Sequence, residues 1–226
     1  MSYGGFIIAI LLCQLINAYH YNKIPFLLFM VAKMDFRSDF NLLNSSIKSF
    51  LDLDNTRDKL NLVLSRKTKD WEKWLQLELE YHFENLCNCE AKREVRAISD
   101  QRYLLGKYNI FVDLLIRKRS SRDDHYIYVE LKCYDTALNL YYKMESDATK
   151  LSSIKQSYIK KSDSKMRSFW CVGFFLDTDI SSVRDVKGIL KKYYSDYPNI
   201  CKKVNLCNCY PASSSCDCDK IGYIIF

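Results

Sequence analysis

The sequence has 226 residues, which is enough for one well-buried hydrophobic core and hardly for two. Hydrophobic residues make up 48% and charged residues 27%, values typical of a globular protein, so these proportions exclude a disordered chain as the default. The net charge of +7 suits a polyanionic partner but does not by itself establish one.

Residues 1–33 form an apolar N-terminal extension. Apolar runs cover residues 6–13 and 24–32, and neither reaches the ~20 residues that cross a bilayer. No positive charge precedes the first run, which is not the pattern of a signal peptide. The alternatives are a true translation start at Met34 and an apolar hairpin that packs on the domain or lies in a membrane surface. We expect a cytoplasmic protein without a membrane partner.

Two helical segments follow. Residues 34–69 form an amphipathic stretch that is predicted to cover a sheet, and residues 70–86 form a second, stronger helix. One stripe of the second helix carries Trp71, Trp74, Leu75, Glu78 and His82. An acid on such a stripe is either paired with a cation or placed at the rim of a site, and the pattern leaves both open for Glu78.

Three predicted strands come next, over residues 93–98, 108–117 and 125–133, and their short connections favour an antiparallel meander. The third strand alternates apolar and polar residues, as a half-buried strand does. If the polar turn folds between Ser121 and Arg122, Asp113 lies opposite Glu130. The same register pairs Val112 with Leu131, Leu114 with Val129 and Ile116 with Ile127.

This register gathers Asp113, Glu130 and Lys132 on one face. Two neighbouring carboxylates repel each other and lose solvation, so they need a compensating cation. Mg²⁺ is the natural candidate because it prefers carboxylate oxygens, and Mn²⁺ is an alternative. The other interpretation is an ordinary surface hairpin with an ion-pair cluster.

Further elements are predicted after the hairpin. Residues 142–160 form a helix whose inward stripe includes Asp147, with Lys150 one turn away, a spacing typical of a surface ion pair. Residues 168–176 are apolar on both faces, which indicates a central strand. Because a helix precedes this strand, its connection is a crossover that permits parallel pairing with the Glu130 strand.

The C-terminal part, residues 179–226, combines a helix, a cysteine-rich segment and a strand. Ser181 or Ser182 is predicted to cap a helix over residues 183–194, and residues 221–226 are predicted to form an edge strand. The outer helix face is either a phosphate-tracking surface or simply solvated, and it carries Arg184, Lys187, Lys191 and Lys192. A Zn²⁺ site and unliganded thiols are the alternatives for Cys207, Cys209, Cys216 and Cys218.

Asp113 followed by Glu130-Leu131-Lys132 resembles the motif of the PD-(D/E)XK nuclease superfamily, with Val112 in place of the name-giving proline. The resemblance covers residues 70–178 and implies an α/β, restriction-endonuclease-like core with a mixed central sheet flanked by helices. It also implies an endonuclease that hydrolyses DNA phosphodiester bonds with Mg²⁺ and without a small-molecule cofactor. By resemblance, the residues of the site would be Glu78, Asp113 and Glu130 as metal ligands, with Lys132 and Lys150 as catalytic amines.

A second hypothesis is a non-catalytic nucleic-acid-binding or assembly protein of the same fold, with zinc in its cysteine-rich tail. A homodimer is a further expectation for the nuclease, since cutting both strands usually needs two sites.

Overall fold

The computed structural model describes residues 26–66, 71–99, 109–121, 125–159, 165–177, 179–207 and 220–226. Within these ranges there are five helices: α1 (Phe26–Leu51), α2 (Asp54–Arg66), α3 (Trp71–Asn85), α4 (Ala137–Ser152) and α5 (Ile180–Tyr193). The seven described strands are β1 (Cys89–Ser99), β2 (Asn109–Lys118), β3 (His125–Thr136), β4 (Ile154–Ile159), β5 (Lys165–Asp177), β6 (Ile200–Asn205) and β7 (Lys220–Ile225). None of the described helices combines the length and the apolar character needed to cross a bilayer.

The strands form one mixed sheet in the order β4-β1-β2-β3-β5-β7-β6. The first three strands are the expected antiparallel meander. Helix α4 leads from β3 to β4, which lies at the edge of the sheet beside β1. The next strand, β5, then pairs with β3 in parallel, as the crossover permits. The fold is therefore α/β with a mixed sheet, as predicted.

Both faces of this sheet are covered. One face packs against α1, α2 and α3, and the other packs against α4 and α5. The expectation of a half-buried third strand is therefore wrong: Tyr126 and Tyr128, on the predicted polar face of β3, are both buried. Their rings lie under α4 and α5, which the alternation along a single strand cannot reveal.

The predicted register of the hairpin is confirmed for Leu114 with Val129 and for Ile116 with Ile127. The expected partnership of Val112 with Leu131 is wrong, because Val112 packs on the face covered by α4 and Leu131 on the opposite face. The alternation of β2 thus breaks at the position between Val112 and Leu114.

The break falls at Asp113. On the neighbouring strand β1, Arg93 pairs with Leu114 and Val95 pairs with Val112. Glu94 lies between them, and its φ of 52° is in the left-handed region. A non-glycine residue in this region is uncommon and marks a local irregularity of the ladder. Asp113 therefore stands beside an irregularity in the pairing of β1 with β2.

Three predicted boundaries need correction. The helix expected over residues 142–160 begins at Ala137, with Thr136 as its N-cap, and ends at Ser152, after which β4 pairs with β1. Ser153 donates its hydroxyl to the carbonyl of Lys150 at 2.6 Å, an interaction that competes with continued helix. The cap of α5 is Asp179, whose carboxylate accepts the amide of Ser182 at 3.0 Å, so neither predicted serine is the cap.

The strand at the C-terminus is not at the edge. Strand β7 lies between β5 and β6, and β6 forms the edge of the described sheet. The turn residue Arg122 and the N-terminal residues 1–25 lie outside the described residues.

A buried polar network fastens α1 to β5. The Asp39 carboxylate binds the Arg167 Nε at 2.9 Å and accepts the Ser168 hydroxyl at 2.7 Å. The Trp170 indole N–H in turn donates to that hydroxyl at 3.0 Å. These bonds give Asp39, which is 3% exposed, the partners that a buried charge requires.

Replacing Asp39 with alanine is expected to lower the free energy of unfolding by about 2–4 kcal/mol, because the Arg167 charge and the Ser168 hydroxyl lose their partner. Urea denaturation of the purified variant measures this loss. Asp58→Ala on the exposed surface of α2 is the control, with an expected change below about 0.5 kcal/mol. Equal stability of the two variants would contradict the anchoring role.

Candidate functional site

The candidate site lies at the end of the regular ladder between β2 and β3. That ladder runs from Ile116–Ile127 to Leu114–Val129. Just beyond it, the Asp113 carboxylate accepts the backbone amide of Leu131 at 2.8 Å. A side chain from one strand thus holds the backbone of the next, and this bond fixes the direction of the Asp113 carboxylate.

Glu130 of β3 lies next to Asp113 of β2 and is only 4% exposed. Both of its carboxylate oxygens accept hydrogen bonds from the Lys150 ammonium, each at 2.7 Å. Lys150 comes from the last turn of α4, which runs back over the sheet after β3. The expectation that Lys150 points towards the hairpin agrees with this geometry.

Lys132 lies between two further carboxylates. Its ammonium is 3.6 Å from Glu72 Oε1 and 3.8 Å from Asp147 Oδ2. Glu72 belongs to the first turn of α3, and its other oxygen accepts the backbone amide of Cys133 at 2.9 Å. The site therefore combines groups from β2, β3 and two helices on opposite faces of the sheet.

We call this set the carboxylate–lysine cluster. It contains four acids and two amines, so it carries an excess of two negative charges when every group is ionised. Its members are Glu72, Asp113, Glu130, Asp147, Lys132 and Lys150.

Burial and mutual repulsion perturb the carboxylates of the cluster. Burial raises the pKa of Glu130 to about 8, and the neighbouring Asp113 acts in the same direction, whereas the Lys150 ammonium opposes the shift. Burial also raises the pKa of Asp113, against the hydrogen bond from Leu131. The short contacts to Lys150 favour an ionised Glu130, but burial and the nearby acids outweigh this single cation, so the pKa is raised.

Asp147 and Lys132 show the same competition. Burial raises the pKa of Asp147, although Lys132 and Lys150 pull it down. Burial acts to lower the pKa of Lys132, but the Glu72 and Asp147 carboxylates outweigh it and the pKa is raised. Asp147 Oδ2 is buried, and within the described residues it has no hydrogen-bond partner. The cluster is thus short of positive charge and of hydrogen-bond donors.

Glu78, the expected third metal ligand, is not part of this cluster. Its carboxylate accepts a hydrogen bond from Lys59 of α2 at 2.6 Å and from the Trp74 indole at 3.1 Å. It is therefore the acid paired with a cation, one of the two interpretations that its helical stripe left open. The nearby Glu80 is also paired, with Arg93.

Sequence reasoning missed Glu72 entirely and used Asp147 only as a member of an inward stripe. Glu72 is six residues before Glu78, in the turn of α3 that reaches the ends of β2 and β3. The signal that could have identified it is its place at the helix start, beside strands that carry two further acids.

The donor set suits a hard divalent cation, because every acidic group in it offers carboxylate oxygens and Asp147 Oδ2 is buried without a donor among the described residues. The oxygens are not gathered round one point, however. Within the described ranges no three His, Cys, Asp or Glu side chains are grouped so as to hold a metal ion as they stand. Lys150 occupies both oxygens of Glu130, so a metal ion would share or displace that contact.

The proposed zinc ligands are described only in part. Cys207 is half-buried, whereas Cys209, Cys216 and Cys218 lie outside the described residues.

The fold and the cluster together define an α/β protein that places buried and partly buried acids beside partly buried amines, where the regular pairing of β2 with β3 ends. A scan against protein-family models, a search of curated proteins and a search of solved structures each returned no match.

Proposed function

We propose that the protein is a Mg²⁺-dependent endonuclease of the PD-(D/E)XK type, with a restriction-endonuclease-like core, that hydrolyses DNA phosphodiester bonds. The observation that supports this proposal most directly is that Asp113, Glu130 and Lys132 lie in one region of the sheet together with a helix-borne acid, Glu72. The net charge of +7 agrees with a polyanionic substrate.

The roles of the residues follow from their contacts. Asp113, Glu130 and Glu72 would hold the ion through their carboxylate oxygens, with the amides of Leu131 and Cys133 fixing two of these side chains. When bound, Mg²⁺ would polarise the scissile phosphate and lower the pKa of the attacking water.

The two lysines would have different roles. Lys132, whose raised pKa keeps its ammonium protonated, would orient the water or stabilise negative charge that develops on the phosphate. Lys150 would hold the Glu130 side chain and offset its charge before the ion and the substrate arrive. Asp147 would position Lys132 from the opposite side.

The test is a cleavage assay with the purified full chain on plasmid DNA, duplex DNA, single-stranded DNA and RNA. We expect Mg²⁺-dependent cutting of DNA that EDTA stops. Asp113→Asn should lower the rate about 100-fold or more, because it removes a charged ligand and keeps the side-chain shape. Asp135→Asn, an exposed position on the neighbouring strand β3, is the control and should cut normally.

Cleavage by Asp113→Asn at the wild-type rate would refute this assignment of the site. Cutting of RNA alone would refute DNA as the substrate but would leave the proposed metal chemistry in place.

One observation favours the second candidate, a non-catalytic nucleic-acid-binding protein. Lys150 already contacts both oxygens of Glu130, and such an ion pair can be purely structural. That candidate predicts DNA binding in EDTA, no cleavage with Mg²⁺ or Mn²⁺, and one zinc per chain if the tail thiols bind metal. Elemental analysis of the purified protein measures the zinc.

A further inference from the structure

A cleft between α5 and the edge strand β6 lies apart from the carboxylate–lysine cluster. Its volume is about 610 Å³, and three lysines line it: Lys187 and Lys191 from α5 and Lys202 from β6. We refer to these three residues as the lysine cleft. None of its lining residues in the described part of the chain is acidic. Among the described residues, none of the three ammonium groups has a carboxylate partner.

The cleft has an ordered floor and rim. The Asn199 amide donates to the carbonyls of Tyr194 and Tyr197, at 2.9 and 3.0 Å, and so holds the loop that joins α5 to β6. Buried Cys201 forms part of the floor, and burial raises the pKa of its thiol to about 11 although Lys187 acts against the shift. Lys187 is therefore close enough to the floor to affect it electrostatically.

Ordinary structural roles account for only part of this arrangement. Lys191 is in the last turn of α5, where a cation interacts favourably with the helix dipole, and a lysine on an edge strand discourages edge pairing. Neither role requires Lys187, in the middle of the helix, to line the same cleft as Lys202. Three unpaired like charges around one cavity repel each other unless an anion enters.

The charge and the openness of the cleft favour an extended anion. Beside Lys187, the helix exposes Gly188, where an added Cβ would meet nothing within 4 Å, so the helix surface next to Lys187 is open. Helix α5 packs beside α4 on the same face of the sheet, and α4 supplies Lys150 and Asp147 to the candidate site. A nucleic-acid backbone that crosses this layer would pass both α4 and α5.

We propose that the lysine cleft binds backbone phosphates of the DNA substrate, away from the bond that is cut. This inference rests on the proposed function for its substrate, but it concerns binding and not cleavage. Each lysine that contacts a phosphate releases condensed counterions, so the cleft contributes to affinity in a salt-dependent and sequence-independent manner.

The test measures the binding of a fluorescently labelled DNA duplex in EDTA, by anisotropy, over a range of salt concentrations. The triple variant Lys187→Gln, Lys191→Gln, Lys202→Gln should bind more weakly and with a smaller salt slope. Between about 50 and 200 mM salt, the wild-type protein should lose about 40-fold more affinity than the triple variant, as expected for three lost phosphate contacts.

The control changes the net charge equally at exposed positions elsewhere, with Lys48→Gln, Arg66→Gln and Arg119→Gln. This control should keep the wild-type salt slope, whereas an equal fall in both triple variants would overturn the proposal. A single substitution in the cleft, Lys202→Glu, reverses one charge and should also weaken DNA binding. Its melting temperature reports whether the fold is kept.

The outcomes separate this inference from the proposed nuclease. DNA cleavage with an unchanged salt slope in the triple variant overturns the lysine cleft and leaves the nuclease. A reduced salt slope without any cleavage supports the cleft and refutes the nuclease. If the triple variant loses binding to vesicles of anionic lipid while its DNA binding is unchanged, the cleft binds lipid head groups and the proposal that it binds DNA is refuted.

Discussion

Replacing Glu130 with glutamine is expected to abolish a large part of the loss of stability that the metal-free protein shows as the pH rises from about 5 to about 9. Burial raises the pKa of Glu130 from 4.5 to about 8, so the folded state holds this proton more tightly than the unfolded chain does. The contribution is fully present below the unfolded pKa and is lost as pH rises through the folded pKa. Glutamine keeps the shape of the side chain and does not titrate.

The expected size is about 2–5 kcal/mol, since each pKa unit corresponds to roughly 1.4 kcal/mol and a shift of this kind gives an upper bound. Urea denaturation in EDTA at several pH values measures it for both proteins. His82 titrates in the same window with the opposite sign, because burial lowers its pKa and stability then rises with pH towards 6.5. Its contribution is common to both proteins and cancels in the difference.

Two further variants test the cause of the profile. Lys150→Met should move the loss of stability to higher pH, because the ammonium that holds the Glu130 pKa down is removed. Lys143→Met, at an exposed position on the same helix, should leave the profile almost unchanged. Parallel profiles for the wild type and Glu130→Gln would show that Glu130 has an ordinary pKa in the folded protein.

The same measurement connects stability to the proposed metal. At a pH where Glu130 is ionised, a Mg²⁺ ion bound only by the folded state adds to stability by mass action. The wild-type protein should therefore regain stability when Mg²⁺ is added, and Glu130→Gln should regain much less. This result does not depend on finding the correct substrate.

Sequence patterns predicted the centre of the fold well, because strong local signals and tertiary packing agree there. Residues 168–176 are apolar on both faces, and they lie within β5, the strand that packs parallel to β3 under helices on both sides. The Leu114–Val129 and Ile116–Ile127 pairs follow from apolar residues facing each other across a short turn. These features require no knowledge of distant parts of the chain.

The outer strands could not be predicted in this way. Strand β6 contains Lys202, Lys203 and Asn205, and it becomes a strand because β7 offers an open edge. Residues 154–159 continue the apparent helical period of α4 but pair with β1 instead. In both cases pairing with a strand that is distant in sequence overrides the local pattern.

The candidate site was predicted in its strand-borne half. The strand register brought Asp113 and Glu130 close together, but the observed register ends at Leu114–Val129 and does not include the predicted Asp113–Glu130 pair. Glu78 could not be separated from Glu72, since a helical stripe shows which way a residue points but not which neighbour it reaches. Helix α3 turns Glu78 towards Lys59 and brings only its first turn to the strand ends.

Gly222→Ala is expected to destabilise the protein by at least about 3 kcal/mol, near or beyond the upper end of what overpacking usually costs. Gly222 lies on β7 directly opposite Phe175 of β5, and an added Cβ would overlap the ring of this fully buried phenylalanine. The ring has no space to move into, because the sheet is covered on both faces. Thermal and urea unfolding measure the loss.

Gly188→Ala is the matched control, with the opposite sign. Gly188 is in the middle of α5 with open space around it, so alanine should stabilise the protein by about 0.5–1 kcal/mol through its higher helix propensity. The double variant Gly222→Ala, Phe175→Leu then isolates the cause, because the smaller leucine makes room for the new methyl group. It should be less destabilised than the sum of its two single variants. Strict additivity would mean that Gly222 does not contact Phe175, and the pairing of β5 with β7 would then need a different register.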